Sequence, residues 1–328
     1  SEYVVGTTEM YNASSAWLIN VLTGIIAGFL GGSALVVVNG SYFRKKSFNY
    51  AMRATFVVYV VVYLVVLFAG TLVSVYAITG GSAQATDYLE GFAFFALSKL
   101  AIVYFIFWGI ITLFTLFFLQ INDKFGPGMF LKFLAGKYYQ PIEEERIFMF
   151  LDLKSSTTIA EKIGNKRYVN LLNDVFTDIT DSILLSGGQI YQDVGDEVVV
   201  SWDLIKGMNH ANCILCFTRI KGDLLKRNNY YLQTYDIQPN FKAGLHLGKV
   251  TVGEIGSIKR DIVYSGDVLN TTSRIQEACN EFNTELLVSE DIVKLISPPG
   301  DYSINNIGEI TFKGKANKVK IVSIKREN

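Results

Sequence analysis

Cysteine, histidine and proline are scarce in this sequence. Its 328 residues include three cysteines, two histidines and five prolines. Because three cysteines cannot all pair, a disulfide framework is excluded, and a reducing compartment is expected. One cluster, His210-x-x-Cys213-x-x-Cys216, has ligand-like spacing, but no second cluster follows at the spacing of a zinc finger or ribbon. We interpret this segment as one amphipathic helix with buried thiols, and zinc binding stays the alternative.

The chain also lacks a surplus of charge of either sign. Thirty Lys and Arg balance thirty Asp and Glu, so the formal net charge at pH 7 is zero. A general nucleic-acid-binding protein carries a basic surplus that meets the phosphates. We therefore expect no nucleic-acid partner.

Charged residues are rare in the first third of the chain. Residues 1 to 121 hold five of the 30 Lys and Arg and four of the 30 Asp and Glu, which leaves 25 and 26 for the rest. The whole chain is 50% hydrophobic and only 18% charged, with a mean hydropathy of +0.29, which together is too apolar for an ordinary soluble protein of this size. The sequence therefore predicts a membrane domain, 1–121, and a soluble domain that is long enough to bury its own core.

Three uncharged stretches of the membrane domain each exceed the ~20 residues that a helix needs to cross a bilayer. We predict transmembrane helices at 17–38, 54–79 and 100–121. The run from Phe56 to Phe68 has no polar stripe at the helical period, which argues against a buried helix of a soluble protein. Membrane lipid is therefore an expected partner.

Basic residues predict the orientation of these helices, because Lys and Arg are retained on the cytoplasmic side. Arg44, Lys45, Lys46 and Arg53 mark residues 40–53 as cytoplasmic, and the loop at 80–97 is then exterior. The N-terminus is also exterior, and since the chain starts at Ser1 without a signal-peptide pattern, we expect that a leader or helix was removed. The prediction is a multi-pass protein of the inner (cell) membrane with a cytoplasmic soluble domain. With no Asp, Glu or Arg inside the spans, their expected roles are anchoring, dimerisation or reception of an unidentified signal.

Residues 122–145 connect the two domains. Gly126-Pro127-Gly128 and Pro141 interrupt any continuous helix, and a short apolar helical face lies between them. Two interpretations stay open: a linker on the membrane surface, and a transducing linker that passes membrane-helix movement to the soluble domain, 146–328.

A carboxylate ends the first strand of the soluble domain. The apolar run Ile147 to Leu151 is followed by Asp152, and Ser155 or Ser156 is expected to cap the next helix. A carboxylate can bind a cation there while backbone N–H groups from Leu153 to Thr157 face phosphate oxygens. The first turn of this helix, Ser155, Ser156 and Thr157, is thus a candidate triphosphate-binding segment.

Further polar residues lie at turns and on a helix. Asp196 is expected at the tip of a hairpin, Gly195-Asp196, and two Asp at adjacent strand ends suit a two-metal phosphoryl-transfer site. Asn270 and Arg274 are four residues apart and share one helical face, where they could hold a ribose and a phosphate. Lys313 is expected in a tight turn, where a solvated surface lysine is the alternative.

Together these residues resemble the catalytic domain of class III nucleotidyl cyclases, the adenylate and guanylate cyclase family, over about residues 143 to 325. The resemblance rests on motifs in the family's order: Asp152, Gly195-Asp196, Lys242-x-Gly-x-His-x-Gly248, Gly266-Asp267-x-x-Asn270-x-x-x-Arg274 and Lys313-Gly314. Membrane-anchored bacterial members look most similar. The resemblance implies an α-helical transmembrane anchor followed by an α/β catalytic domain with a ferredoxin-like β-α-β-β-α-β palm, and a head-to-tail homodimer with active sites at its interface.

The resemblance also implies a role for each motif residue. Asp152, Asp196 and the Leu153 carbonyl would hold two Mg²⁺ or Mn²⁺ ions per active site. Asn270 and Arg274 would orient the ribose and stabilise the transition state from the partner chain. Lys242 and Lys313 would bind the triphosphate.

Two base-reading positions depart from the family. The adenylate cyclase pattern has Lys and Asp or Thr where this chain has Gln192 and Val263, and the Glu of the guanylate pattern is absent too. A glutamine amide can meet either adenine or guanine. We expect a homodimeric cyclase that converts ATP, with GTP as the alternative substrate, to the 3′,5′-cyclic nucleotide and pyrophosphate. The competing hypotheses are a catalytically silent nucleotide-sensing module and a diguanylate cyclase.

Overall fold

The computed structural model describes residues 24–25, 28–29, 31–33, 48–125, 129–258, 260–296, 302–311 and 318–327. Contacts between Cα atoms divide the chain into two units, Ser1–Ile121 and Asn122–Asn328, and each is described by itself. Lys313 lies outside the described residues. The same holds for the predicted span 17–38, apart from the short helical pieces at 24–25, 28–29 and 31–33.

The first unit contains long apolar helices. Its described helices are α1 (Phe48–Thr79), α2 (Ala85–Ala96) and α3 (Lys99–Phe125). By length and composition, Asn49–Tyr76 and Lys99–Ile121 could each cross a membrane. These two stretches overlap the predicted spans 54–79 and 100–121.

Polar contacts and ring contacts fix these helices against one another. The Tyr59 and Tyr63 hydroxyls of α1 donate to backbone carbonyls of α3, those of Phe105 and Ala101. The rings of Phe68 and Phe92 meet edge to face at 5.6 Å, so α2 folds back on α1. Within the predicted exterior loop at 80–97, the Asp87 carboxylate accepts the Gln84 N–H at 2.8 Å at the start of α2.

The second unit alternates helices and strands. It contains α4 (Met129–Leu134), β1 (Ile142–Leu153), α5 (Ser156–Ile163), α6 (Asn165–Leu185), β2 (Gln189–Val194), β3 (Glu197–Asp203), α7 (Leu204–Met208), a 3₁₀ turn (Asn209–Ala211), α8 (Asn212–Lys226), α9 (Asn228–Tyr235), β4 (Phe241–Ile255), β5 (Asp261–Ser265), α10 (Asp267–Glu281), β6 (Leu286–Ser289), α11 (Glu290–Leu295), β7 (Tyr302–Ile310) and β8 (Val319–Arg326).

The described strands form one sheet in the order β2-β3-β1-β4-β6-β8-β7, and β5 pairs with the outer end of β4. Its first four strands, with the helices between them, are the predicted β-α-β-β-α-β palm, which is confirmed. Strand β1 pairs in antiparallel fashion with both β3 and β4, whereas β6 pairs with β4 in parallel. The sheet is therefore mixed.

Helices cover both faces of this sheet. Alternate residues of β1, such as Ile147 and Met149, bury one face against α6 and α8, and Cys213 and Cys216 of α8 lie in that core. Burial raises the pKa of both thiols to about 12. The predicted helix with buried thiols is confirmed for Cys213 and Cys216, whereas His210 lies before α8, in the 3₁₀ turn. The other face contains a second apolar cluster, which includes Phe148, and is crossed by α10.

Candidate functional site

Two predicted carboxylates meet where β1 ends. Asp152 is the last residue but one of β1, and Asp196 lies in the two-residue turn between β2 and β3. The Asp152 Cα is opposite that of Glu197, and the Leu153 N–H donates to the Asp196 carbonyl at 3.3 Å. Strand pairing therefore brings together two residues that are far apart in the sequence.

The electrostatic environment of Asp152 is mixed. Burial raises the pKa of Asp152, and the charge of Asp196 and a carboxyl–carboxyl hydrogen bond with it raise it further. Lys242 opposes this shift, because its Nζ is 3.0 Å from the Asp152 Oδ2. The ammonium reaches the carboxylate because β4 places Lys242 directly opposite Asp152.

A third carboxylate adjoins this pair. Burial, Asp152, Asp196 and Glu277 together raise the pKa of Glu197 to about 7. Such clustering concentrates negative potential, which attracts cations. Glu197 follows Asp196 in the sequence, but no motif of the sequence predicted it as part of this carboxylate site.

Asp152 and Asp196 fit a hard divalent cation. Carboxylate and carbonyl oxygens are the ligands of Mg²⁺ and Mn²⁺, and Mg²⁺ usually takes only one or two carboxylates, with water and phosphate as the other ligands. In the described part of the chain no group of three or more His, Cys, Asp or Glu has the geometry to hold a metal ion. Two aspartates and the Leu153 carbonyl suit a site that substrate phosphates complete.

The helix that follows β1 starts at the predicted place but without the predicted cap. Ser155 precedes α5 with φ +58°, in the left-handed region, and its side chain makes no capping hydrogen bond. The first N–H groups of a helix have no partner within it, so those of Ser156 and Thr157 are donors close to Asp152. The Ser156 side chain hydrogen-bonds with Tyr168, whose pKa is raised by burial and by the charge of Asp196.

The inner face of α10 contacts the carboxylate site. The Gln276 amide donates to the Asp152 Oδ2 at 3.3 Å, and Lys242 Nζ donates to the Asn280 side chain at 3.0 Å. Gln276 and Asn280 were not among the residues predicted from the sequence. They are four residues apart on one helical face, but only the packing of α10 on β4 shows which face is inward.

The other predicted residues of α10 lie on its opposite face. Asn270 is exposed and Arg274 half-buried, whereas Thr272 and Gln276 are buried against the sheet. Along the helix axis Asn270 is ~9 Å from Gln276, at 1.5 Å per residue. One chain thus joins Asp152, Asp196 and Lys242 but does not bring Asn270 and Arg274 to them.

The predicted base-reading residues are also not brought together within one chain. Gln192 is exposed and lies opposite Val199, on the face of the sheet that contains Phe150 and Asp152. Val263 is opposite Gly253, and its neighbour Tyr264 packs on Phe148. Alternation along β5 places Val263 on the other face of the sheet.

Comparison with known proteins identifies the domain. Residues 138–325 match the family model for the adenylate and guanylate cyclase catalytic domain. "Adenylate cyclase 2" of Rhizobium meliloti (strain 1021) is 34% identical over 209 residues, which cover 64% of this chain and 58% of that protein. The adenylate cyclase of Anabaena cylindrica is 24% identical over 216 residues, 62% of this chain and 42% of that protein. The chain therefore spans about half the length of these relatives.

Solved structures share the fold. A bacterial light-regulated adenylyl cyclase superposes with a TM-score of 0.58 at 19% identity, covering 71% of this chain and 67% of the other. The guanylyl cyclase Cya2 superposes with a TM-score of 0.51 at 20% identity, covering 57% of this chain and 94% of the other. With more than half of its length matched by the family model, this chain belongs to the adenylate and guanylate cyclase catalytic-domain family.

Proposed function

We propose that this protein is a membrane-anchored, homodimeric nucleotidyl cyclase that converts ATP to the 3′,5′-cyclic monophosphate and pyrophosphate. The observation that carries the proposal is the division of the site. Asp152 and Asp196 meet at the end of β1, while Asn270 and Arg274 lie on the outward face of α10. A head-to-tail second copy would bring the α10 of one chain to the carboxylates of the other.

Each half-site supplies a different part of the chemistry. Two bound Mg²⁺ or Mn²⁺ ions, held by Asp152, Asp196 and the Leu153 carbonyl, would lower the pKa of the ribose 3′-OH and neutralise phosphate charge. Lys242, Lys313 and the N–H groups of Ser155, Ser156 and Thr157 bind the triphosphate. Asn270 orients the ribose, and the Arg274 guanidinium of the partner stabilises charge that develops at the α-phosphate.

Gln192 is the principal side chain that reads the base, because Val263 offers no hydrogen bond. An amide that can flip discriminates less than a charged group fixed in one orientation. We expect product from both nucleotides with Mn²⁺. The preference for ATP in kcat/KM should stay below the ~10⁴ that a site attains when the wrong substrate would leave its buried polar groups unpaired. Gln192→Glu should shift the kcat/KM ratio toward GTP, because a carboxylate accepts from the guanine N1–H and N2–H. Gln192→Lys should keep ATP as a substrate, because an ammonium donates to adenine N1.

The control for this test is Gln233→Lys, on the exposed side of α9, which should leave the nucleotide ratio unchanged. Unchanged ratios in both Gln192 variants would show that Gln192 does not face the base. The absence of product from either nucleotide would favour the silent nucleotide-sensing module, and a cyclic dinucleotide product would favour a diguanylate cyclase.

The apolar helices support a membrane anchor. In α1 and α3, side chains such as Phe56 and Phe114 are each 60% exposed, whereas a core helix of a soluble protein buries its apolar residues. Lipid would cover them. The basic residues before and after these helices favour a cytoplasmic catalytic domain in a multi-pass protein of the inner membrane.

The end of the connector is bound to the catalytic sheet, which favours a transducing linker over one that lies on the membrane surface. Tyr138 is fully buried, and its carbonyl accepts the Glu254 N–H at 3.1 Å. Glu144 accepts from Lys137 and from the fully buried Arg146, whose guanidinium lies 5.0 Å from the ring centroid of Tyr264. Since Tyr264 precedes α10 by three residues, connector movement would reach the helix of Asn270 and Arg274.

Cysteine labelling tests the orientation. All three native cysteines are buried, so an exposed Ser82→Cys is the principal reactive thiol. We expect a membrane-impermeant maleimide to label Ser82→Cys in intact cells. The matched variant Ser257→Cys, at the exposed tip between β4 and β5, should react only after lysis. Labelling of the two in the reverse pattern would overturn the orientation.

A further inference from the structure

A polar cluster lies behind the carboxylate site and is not part of it. Glu285 precedes β6, and its carboxylate accepts three donors: Lys154 Nζ at 2.8 Å, the Asn240 side-chain amide at 2.9 Å, and Lys221 Nζ of α8. Hydrogen bonds and ion pairs thus connect three separate segments to one half-buried side chain.

Two of these segments are the strand ends that form the site. Lys154 follows the Leu153 carbonyl and comes two residues after Asp152, and Asn240 comes two residues before Lys242. The two ends also bind each other, because the Lys154 N–H donates to the Asn240 carbonyl at 2.9 Å. Glu285 therefore touches both of the segments whose spacing sets the distance between Asp152 and Lys242.

Backbone contacts strengthen this arrangement. The Ala243 N–H donates to the Glu285 carbonyl at 2.8 Å, and the Asn240 side chain accepts the N–H of Phe241, the first residue of β4. Glu285 is consequently held at both its backbone and its side chain. It cannot shift without moving the start of β4.

The ion pairs of this cluster persist at physiological pH, because Glu285 stays ionised. Burial alone would raise the pKa of Glu285, but hydrogen bonds from Lys154, Lys221 and Asn240 lower it to about 2. The carboxylate therefore stays ionised at neutral pH, and the two lysines are held against a full negative charge.

We infer that Glu285 is a positioning residue of the metal site, which fixes the end of β1 against the start of β4 so that Asp152 and the Leu153 carbonyl keep the spacing that a divalent cation requires. The inference rests on the proposed function for the identity of the metal ligands. Outer groups that orient metal ligands typically contribute ~10- to 100-fold to metal affinity. Glu285 touches neither metal nor nucleotide in this arrangement and acts through Lys154 and Asn240.

The test uses the full-length protein and the variant Glu285→Gln, which keeps the shape but removes the charge and presents an N–H₂ group to a lysine. Thermal melting without nucleotide, as a function of Mn²⁺ concentration, reports metal binding independently of activity. We expect the Mn²⁺ midpoint to rise about tenfold or more. The Mn²⁺ concentration for half-maximal product formation should rise in parallel, and the rate should recover at saturating Mn²⁺.

Two further variants separate positioning from stability. Lys154→Met removes only the link to β1 and should shift the Mn²⁺ midpoint in the same direction, which keeps the test valid if Glu285→Gln folds poorly. Glu290→Gln removes a carboxylate paired at 2.6 Å with Lys294 on the surface of α11, and it should leave the midpoint unchanged.

The outcomes distinguish this inference from the proposed function. A lower melting temperature in Glu285→Gln and Lys154→Met with unshifted Mn²⁺ midpoints would overturn the positioning role and leave the cyclase proposal intact. Mn²⁺ binding by the wild-type protein without product would overturn the cyclase proposal, while a shifted midpoint in the variants would still support the positioning role.

Discussion

Asp152→Asn and Arg274→Ala homodimers should each form cyclic nucleotide ~10² to 10³ times more slowly than the wild-type protein, and a mixture of the two should regain activity. In Asp152→Asn the metal site loses a charged ligand. In Arg274→Ala the developing phosphate charge loses its partner. If the site is shared between chains, a heterodimer contains one site with both lesions and one with neither.

The recovery can be predicted in magnitude. Random pairing of equal amounts makes half of the dimers heterodimers, each with one intact site of two, so about a quarter of wild-type activity should return. Product formation by the unseparated mixture measures this quarter, and heterodimers isolated by two affinity tags should show about half of wild-type activity. Asp291→Asn, an exposed aspartate of α11, is the matched control and should keep full activity. Confirmed heterodimers without recovered activity would contradict a shared site.

The sequence predicted those parts of the fold that local signals encode. An apolar run that ends in Asp152 and a Gly195-Asp196 turn specify β1 and the hairpin of β2 and β3, and the structure has these strands at those places. The turn also predicted the position of Asp196 relative to β3, because a two-residue connection leaves little freedom. The proximity of Asp152 to Asp196 followed from the expected palm, in which β1 and β3 pair.

Features that depend on tertiary packing could not be predicted in this way. Lys242 was assigned to the triphosphate from the resemblance, and its ion pair with Asp152 follows from the register of β1 and β4, which no local pattern encodes. The inward face of α10, with Gln276 on Asp152, depends on where the helix crosses the sheet. Ser155 or Ser156 was expected to cap α5 by composition, but Ser155 at the N-cap has a left-handed backbone and its side chain makes no capping hydrogen bond.

The close crossing of α10 over β4 makes Gly244→Ala the other substitution with a large expected effect. A Cβ at Gly244 would lie 2.4 Å from the Gln276 backbone nitrogen, 2.8 Å from its Cα and 2.8 Å from the Thr272 carbonyl oxygen. All three are backbone atoms of α10, so no side chain can move aside to make room. The helix itself must shift away from β4.

Displacement of α10 should lower activity strongly while the domain stays folded. Overpacking of this kind typically costs ~1 to 3 kcal/mol of unfolding free energy, which a domain of this size tolerates. A misplacement of ~1 Å at a reacting centre, however, can reduce the rate by ~10². Because α10 carries Gln276 for its own site, and Asn270 and Arg274 for the proposed partner's site, both active sites of the dimer should lose activity together. We expect a kcat reduction of about 10² for Gly244→Ala with the dimer intact.

Gly222→Ala is the matched control, since Gly222 lies in α8 and a Cβ there would meet nothing within 4 Å. Replacing this helical glycine should raise the unfolding free energy by up to ~1 kcal/mol and leave kcat unchanged. Thermal melting and initial rates at saturating nucleotide and Mn²⁺ distinguish the two variants. A wild-type kcat in Gly244→Ala would mean that β4 moves and α10 stays in place. The spacing between this helix and the sheet would then not determine where Asn270 and Arg274 act.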